Sequence, residues 1–451
     1  MSVKFSRPAP GQELEPDKDL LARADSRLMS EAVDSGGANG DQPQSEGMRA
    51  GQHHTVIHHG DMIRLAIMVT PQGGGHVRDQ AWETLAMIRA ILRNQEQPMV
   101  MTMQTVFVAE AADVPAIKRL FEAYFDEEMP LTLWVVQPPC GGAKMAVEAW
   151  AISTTTVSVG FHGPHLLTVE HDDLRWVYTS AGAIHLSDRS AYEQSKEAFA
   201  KLRNTFSAVG VPFRDVSRLW LYQGGITEEE EDVERYRELN RARTEVFDEV
   251  DFKTNPLLHH DGSREIYPAS TGIGTGEHGL VIAGLAVQTE RKDVGILSLE
   301  NPQQMSACDY PKEYSRKSPK FSRATAIRMG DYLTTWVSGT ASIIDAETVH
   351  CGDAAKQTEQ TLDNIENLIS AENFTRLGWR GAGATLADLA KIRVYVKHAE
   401  DFEVCRAACE RRLGQVPAVF ALADVCRPDL LVEIEGVTFS HIASERGGNL
   451  S

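Results

Sequence analysis

A chain of 451 residues is too long for one ordinary domain and long enough to bury several cores, so two to four structural units are expected. With 42% hydrophobic and 24% charged residues it reads as globular, and a formal charge of −19 argues against a phosphate-backbone partner while allowing a small anion held by a few buried arginines. No apolar run reaches the ~18 residues of a membrane helix, no basic-then-apolar leader opens the chain, and the six cysteines form no CxxC pair. These features predict a cytoplasmic protein with reduced thiols, no membrane segment, no nucleic acid and no zinc.

Residues 1–50 are rich in Pro, Gly, Asp, Ser and Gln and poor in large apolar side chains, which predicts a mobile tail. His53, His54, His58 and His59 follow; with no carboxylate or thiol cluster beside them and alternate residues on opposite strand faces, they read as structural or surface histidines.

From Met62 the chain repeats one pattern. Strands at 62–69 and 100–108 alternate with amphipathic helices at 80–92 and 114–125, and strands at 131–136 and 145–152 close the unit. The order β-α-β-α-β-β returns from Trp176, with helices at 191–209 and 228–247 and strands at 217–222 and 279–287. It returns again from Tyr332, with helices at 354–369 and 402–413 and strands at 390–396, 418–422 and 430–437. Internal repetition outranks any single motif. It predicts an α+β protein of modules at 51–155, 156–295 and 324–451, with 296–323 as a binding loop between the last two. Helices can cover one face of each sheet, so the other faces can be buried only against one another, in a pseudo-threefold body.

Two segments imitate familiar sites. Gly274-Thr-Gly-Glu-His-Gly279 has GxGxxG spacing, but a strand follows it where a nucleotide would need a helix N-terminus, so the glycines read as a turn or a close approach. Thr227-Glu-Glu-Glu-Glu-Asp232 reads as a helix N-cap with acids in the first turn. Further along that helix Tyr236, Asn240 and Arg243 fall on one stripe, and Arg243 becomes a candidate ligand for a carboxylate. The segment Glu300–Ala324, with three prolines, aromatic rings and five cations, reads as a binding loop rather than a spacer.

The stretch Cys426-Arg-Pro-Asp-Leu-Leu-Val-Glu-Ile-Glu-Gly436 alternates strictly from Leu431, which sets Glu433 and Glu435 on one strand face. Such a pair can be a solvated face or a site acid with its neighbour.

Each unit resembles the YjgF/RidA fold (the chorismate-mutase-like fold), a family whose familiar activity is hydrolysis of enamines and imines. That family's carboxylate-clamping arginine follows a proline before the penultimate strand; here those places hold Thr132, Ser270 and Val419, which argues against imine deamination. The last two units are similar to the chorismatases. The resemblance rests on Pro268-Ala-Ser-Thr-Gly-Ile-Gly274, Glu300-Asn-Pro302, Tyr310-Pro with Tyr314 and Ser318-Pro-Lys-Phe-Ser-Arg-Ala-Thr325, Leu362-Asp-Asn364, Lys391-Ile-Arg-Val-Tyr-Val396 and Asp429–Gly436. It implies cofactor-independent cleavage of chorismate, without metal, to pyruvate and 3-hydroxybenzoate. Glu433 would be the general acid, and Arg243, Arg323, Arg406, Tyr310 and Tyr314 the substrate-binding groups. Cys426, as the second catalytic position, and Gly339 match the 3-hydroxybenzoate-forming type; the type that forms a dihydroxycyclohexadienoate tends to carry alanine there. The partner implied is chorismate alone, bound by a monomeric internal pseudo-trimer or a homo-oligomer. The alternatives are a Rid-type deaminase and a non-catalytic small-molecule-binding protein.

Overall fold

The computed structural model describes residues 48–184, 189–259, 262–310 and 317–442. The predicted tail lies outside these, apart from Met48–Ala50, which pairs as a strand. The first sheet contains β1 (Met48–Ala50), β2 (His54–His59), β3 (Met62–Val69), β4 (Met99–Val108), β5 (Leu131–Val136) and β6 (Met145–Ser153). Into the second go β7 (Ser158–Phe161), β8 (Leu166–His171), β9 (Leu174–Ile184), β10 (Val216–Gly224), β15 (Ala269–Thr275) and β16 (Leu280–Thr289). Between them lie two small hairpins, β11–β12 (Glu229–Glu230, Val233–Glu234) and β13–β14 (Thr254–His259, Gly262–Glu265). The third sheet holds β17 (Val294–Leu299), β18 (Ala324–Met329), β19 (Tyr332–Ala341), β22 (Leu389–Val396), β23 (Ala418–Leu422) and β24 (Val432–His441), with a hairpin β20–β21 (Ile343–Ile344, Glu347–Thr348).

The three six-stranded sheets share one strand order: β5-β4-β6-β3-β2-β1, β15-β10-β16-β9-β8-β7 and β23-β22-β24-β19-β18-β17. Each carries a bulge at the same place, between Met101 and Met103, between Val216 and Arg218, and between Leu389 and Lys391. The third sheet takes β17 from the segment expected to end the second module and open the loop. β15 follows Pro268 in a Ser/Thr/Gly-rich run that does not read as a strand, yet it pairs in parallel with β10 over seven residues.

Helices α1 (Val77–Arg93) and α2 (Val114–Phe125) cover the outer face of the first sheet. The second is covered by α3 (Ala191–Ala208) and α4 (Arg235–Phe247), and the third by α5 (Ala354–Ile369), the short α6 (Ala371–Arg376) and α7 (Phe402–Leu413). The inner faces share one apolar core, where Trp336 lies edge-on to Trp150 at 5.4 Å and to Trp220 at 5.9 Å, one ring from each sheet. The pseudo-threefold body is therefore present. The GxGxxG glycines make close approaches: Gly274 N–H donates to Asp424 O (2.8 Å) and Gly276 N–H to Val136 O (2.7 Å), tying all three modules together. Residues 227–234 do not begin a helix. They form the β11–β12 hairpin, with Glu231 and Asp232 at φ 50° and 63°, and α4 starts only at Arg235. A run of four glutamates repels itself in a first turn, whereas a tight turn spreads the charges into solvent.

Charged side chains cross the axis beneath the tryptophans. Glu435 accepts from Arg393 Nη1 (2.7 Å), Tyr395 Oη (2.8 Å), Thr271 Oγ1 (2.5 Å) and Arg218 Nη2. Arg393 also reaches Glu148, which pairs with Lys391 Nζ at 2.7 Å. Removing one partner from such a network strands a charge in low dielectric. Arg393→Leu should therefore cost about 3–5 kcal/mol of stability in urea unfolding. A loss below about 1 kcal/mol would show that the modules do not depend on it.

Candidate active site

A cavity of about 560 Å³ opens between the second and third modules. One wall is α4, whose Leu239, Ala242, Val246 and Phe247 are buried while Tyr236, Asn240 and Arg243 line the cavity. Below them β15 contributes Ser270 and Gly272, the latter because a β-carbon there would press on the Tyr236 ring at 3.0 Å. The third module supplies Gly339 and Ala341 of β19, the hairpin residues Ile343, Glu347 and Thr348, the stretch Cys426–Asp429, and Glu433 of β24. The predicted binding loop adds Tyr310, Pro319, Phe321 and Arg323.

Five side chains form an alternating row. The Arg243 guanidinium lies 5.2 Å from the Phe321 ring, and Arg323 lies 5.5 Å from Phe321 and 5.6 Å from Tyr310. Arg427 closes the row 5.3 Å from Tyr310. The rings keep three cations apart and share their charge through their faces. Arg243 donates to Asn240 Oδ1 (2.5 Å) and Ser270 Oγ (3.3 Å), and Arg323 to Tyr310 Oη (2.6 Å) and Met305 O (3.0 Å). The Nε of each is buried without a hydrogen-bond partner. No carboxylate among the described residues forms an ion pair with either one, although the more distant Glu300 favours the Arg323 charge and Glu234, Glu347 and Asp429 also line the cavity, so both guanidinium groups can still take an anionic ligand. Ser270 stands where the YjgF/RidA resemblance would place an arginine on the strand. Arg243 reaches the same spot from the helix.

Glu433 is 4% exposed and receives no hydrogen bond from any described residue. Burial, followed by the Glu435 charge, raises its pKa to about 8. Room for its carboxyl comes from Gly339, because a β-carbon at that position would overlap Glu433 Oε1. Burial and then Glu433 push the Cys426 thiol up to about 12, so it faces the cavity as an uncharged thiol rather than a nucleophilic thiolate. For Glu435, burial is outweighed by Arg393 and Arg218, and its pKa is lowered. Two acids on one strand face thus hold opposite protonation states at neutral pH.

The cavity brings together Glu433, Cys426, Gly339, Arg243, Arg323 and Tyr310. It does not include Arg406. That residue sits on α7 with its side chain 40% exposed, paired with Glu403 (2.6 Å) and Glu410 (2.5 Å) of its own helix. Helical i, i+3 and i, i+4 partners satisfy it there, and sequence spacing alone could not tell which inter-module cleft α7 would face. Tyr314 lies outside the described residues. The sequence reading missed Arg237 and Arg427, although Arg427 directly follows Cys426 and Arg237 directly follows Tyr236. Strand pairing shows why only one cleft carries the acid. Glu433 lies opposite Tyr395, whereas the same register places Ala146 opposite Phe107 and Val281 opposite Tyr222.

Fold and cavity together define a three-module α+β protein with an inter-module site, in which a protonated carboxyl shares a cavity with buried guanidinium groups. The family model for the N-terminal region of FkbO/Hyg5-like chorismatases matches residues 150–286. A 3-hydroxybenzoate synthase from Streptomyces hygroscopicus is 36% identical over 251 residues, 54% of this chain and 69% of that protein. A chorismatase from Streptomyces rapamycinicus is 34% identical over 275 residues, 59% and 77% of the two chains. A chorismatase crystal structure superposes with a TM-score of 0.60 at 24% identity, over 83% of this chain and 98% of that one, which supports the fold. The chain belongs to the chorismatase family.

The carboxyl state can be tested without substrate. A glutamate's ordinary pKa of 4.5 applies in the unfolded chain, and about 8 applies here. Between those values the native state keeps a proton that the unfolded chain releases, so stability falls by about 1.4 kcal/mol per pH unit climbed. The penalty is absent below the lower value and constant above the upper. Glu433→Gln should therefore melt well above the wild type at pH 8 and close to it near pH 4.5. Equal melting temperatures at pH 8 would mean the carboxyl is not held uncharged.

Proposed function

We propose that this chain converts chorismate to 3-hydroxybenzoate and pyruvate, with Glu433 as the general acid. The observation that carries the proposal is one cavity holding a buried, protonated Glu433 and two buried arginines that have no carboxylate within ion-pair distance among the described residues. Chorismate carries two carboxylates and an enol ether, and so needs fixed cations and one proton donor. The names of the 3-hydroxybenzoate synthase and the chorismatases support the same substrate.

In the proposed sequence, Arg243 and Arg323 hold the carboxylates and the Glu433 proton moves to the methylene carbon, leaving an oxocarbenium ion. The neighbouring ring hydroxyl then attacks the ring carbon that bears the ether. As that carbon–oxygen bond breaks, pyruvate departs with the ether oxygen as its ketone, and the hydroxyl proton returns to Glu433. The remaining epoxide opens and loses a ring hydrogen, giving 3-hydroxybenzoate. Atoms balance without water. The space beside Gly339 and the uncharged Cys426 thiol favour this internal attack over attack by solvent. Missing arginines at Thr132, Ser270 and Val419 speak against an imine deaminase. The reading includes a cytoplasmic enzyme acting as a monomer with an internal pseudo-trimer or as a homo-oligomer, the former in keeping with three modules in one chain. Among the described residues no helix is long and apolar enough to cross a membrane.

Purified protein incubated with chorismate should release pyruvate, detected with lactate dehydrogenase, at a rate that falls above pH 8. No release above spontaneous decay would end the proposal. Glu433→Gln should lower turnover by roughly 100-fold or more while the protein stays folded. Reaction in ¹⁸O-water should leave the 3-hydroxybenzoate hydroxyl unlabelled, and Cys426→Ala should shift product toward the dihydroxy compound. An unchanged product ratio would remove Cys426 from the partition.

A further inference from the structure

Gly339 sits in a break of the β19–β24 ladder: Val337 pairs with Gly436 and Thr340 with Ile434, so Ser338 and Gly339 have no partner on β24. The second module holds this break instead. Ser338 Oγ accepts from Ser270 N (2.8 Å), and Thr271 Oγ1 accepts from Gly339 N (2.9 Å). Thr271 is 1% exposed, and its hydroxyl is saturated: it also accepts from Arg218 Nη2 (2.5 Å) and gives its own proton to Glu435 Oε2 (2.5 Å). Its methyl group lies 3.1 Å from where a β-carbon of Gly339 would stand. One side chain therefore fixes the opening that receives the Glu433 carboxyl and occupies the neighbouring carboxylate.

Resting on the chorismatase reading, we propose that Thr271 is a positioning residue for the reaction. By hydrogen-bonding Glu435 and the Gly339 amide, it keeps the Glu433 proton directed into the cavity instead of toward Glu435. Titratable and charged groups act on Glu433 from several elements: Glu435 on its own strand, Arg218 of β10, Arg323 of the loop before β18, Cys426 of the loop before β24 and Tyr236 of α4. Of these, Glu435 is the acceptor that would compete for the proton, and Thr271 is the donor that satisfies it from across the module boundary. Removing the hydroxyl leaves Glu435 one donor short, and the proton on Glu433, two residues away on the same strand face, is the replacement proposed.

Steady-state pyruvate release by the full chain tests this with two variants. Thr271→Val keeps the shape and removes the hydroxyl. It should lower kcat by roughly 10- to 100-fold with KM within about threefold, and move the alkaline limb of the rate upward by roughly one pH unit. Thr271→Ser restores the hydroxyl and should recover most of the activity and the original limb. If the valine variant does not fold, Thr271→Ala removes the same hydroxyl with less bulk. Wild-type kcat and limb in the hydroxyl-less variant, or equal losses in the serine and valine variants, would overturn the role of Thr271. A wild-type enzyme that releases no pyruvate would instead remove the chorismatase reading itself.

Discussion

The structure depends on a buried ion network at the centre of the pseudo-threefold body. Three sheets can hide their inner faces only by meeting, and where they meet Glu148, Arg218, Lys391, Arg393 and Glu435 come together from all three. Buried pairs are costly to desolvate and are poor sources of net stability; their value lies in permitting one arrangement and penalising the rest. Burial holds Lys391 well below the ordinary lysine range, and its ammonium lies 3.7 Å from the Trp150 ring. The network also does electrostatic work for the site. It keeps Glu435 ionised two residues from Glu433, and that fixed charge adds to burial in keeping the second carboxyl protonated.

Repetition explains both the fold and its asymmetry. The same bulge and strand order occur three times, yet the position of Glu433 is Ala146 in the first module and Val281 in the second. The arginines are equally local, since Arg243 comes from α4 and Arg323 from the loop before β18. The first module contributes to the network and the core, and among the described residues it gives no side chain to the cavity.

Much of this was legible in the sequence. The strands at 62–69 and 145–152 and helices α5 and α7 follow hydrophobic periods with clear boundaries, and the Glu433/Glu435 alternation placed both acids on one face. What could not be read depended on tertiary placement. β15 contains Ser270, Thr271, Gly272 and Gly274 and lacks a strand's composition; it is a strand because β10 and the third module pair with it. The Glu228–Asp232 acids satisfied a helix-start pattern that their mutual repulsion defeated. Arg406 and Arg243 are both arginines on amphipathic helices, and only the assembled modules show that one faces solvent and the other the cavity. Thr271 carries no motif, and its importance appears only when β15, β19 and β24 are brought together.

The most direct measurement is a crystal structure of the Glu433→Gln protein with chorismate bound. The account predicts the enolpyruvyl methylene carbon within roughly 3.5 Å of the residue 433 side chain, with the carboxylates on Arg243 and Arg323. Chorismate bound with its methylene turned away from residue 433, or found outside this cavity, would contradict it.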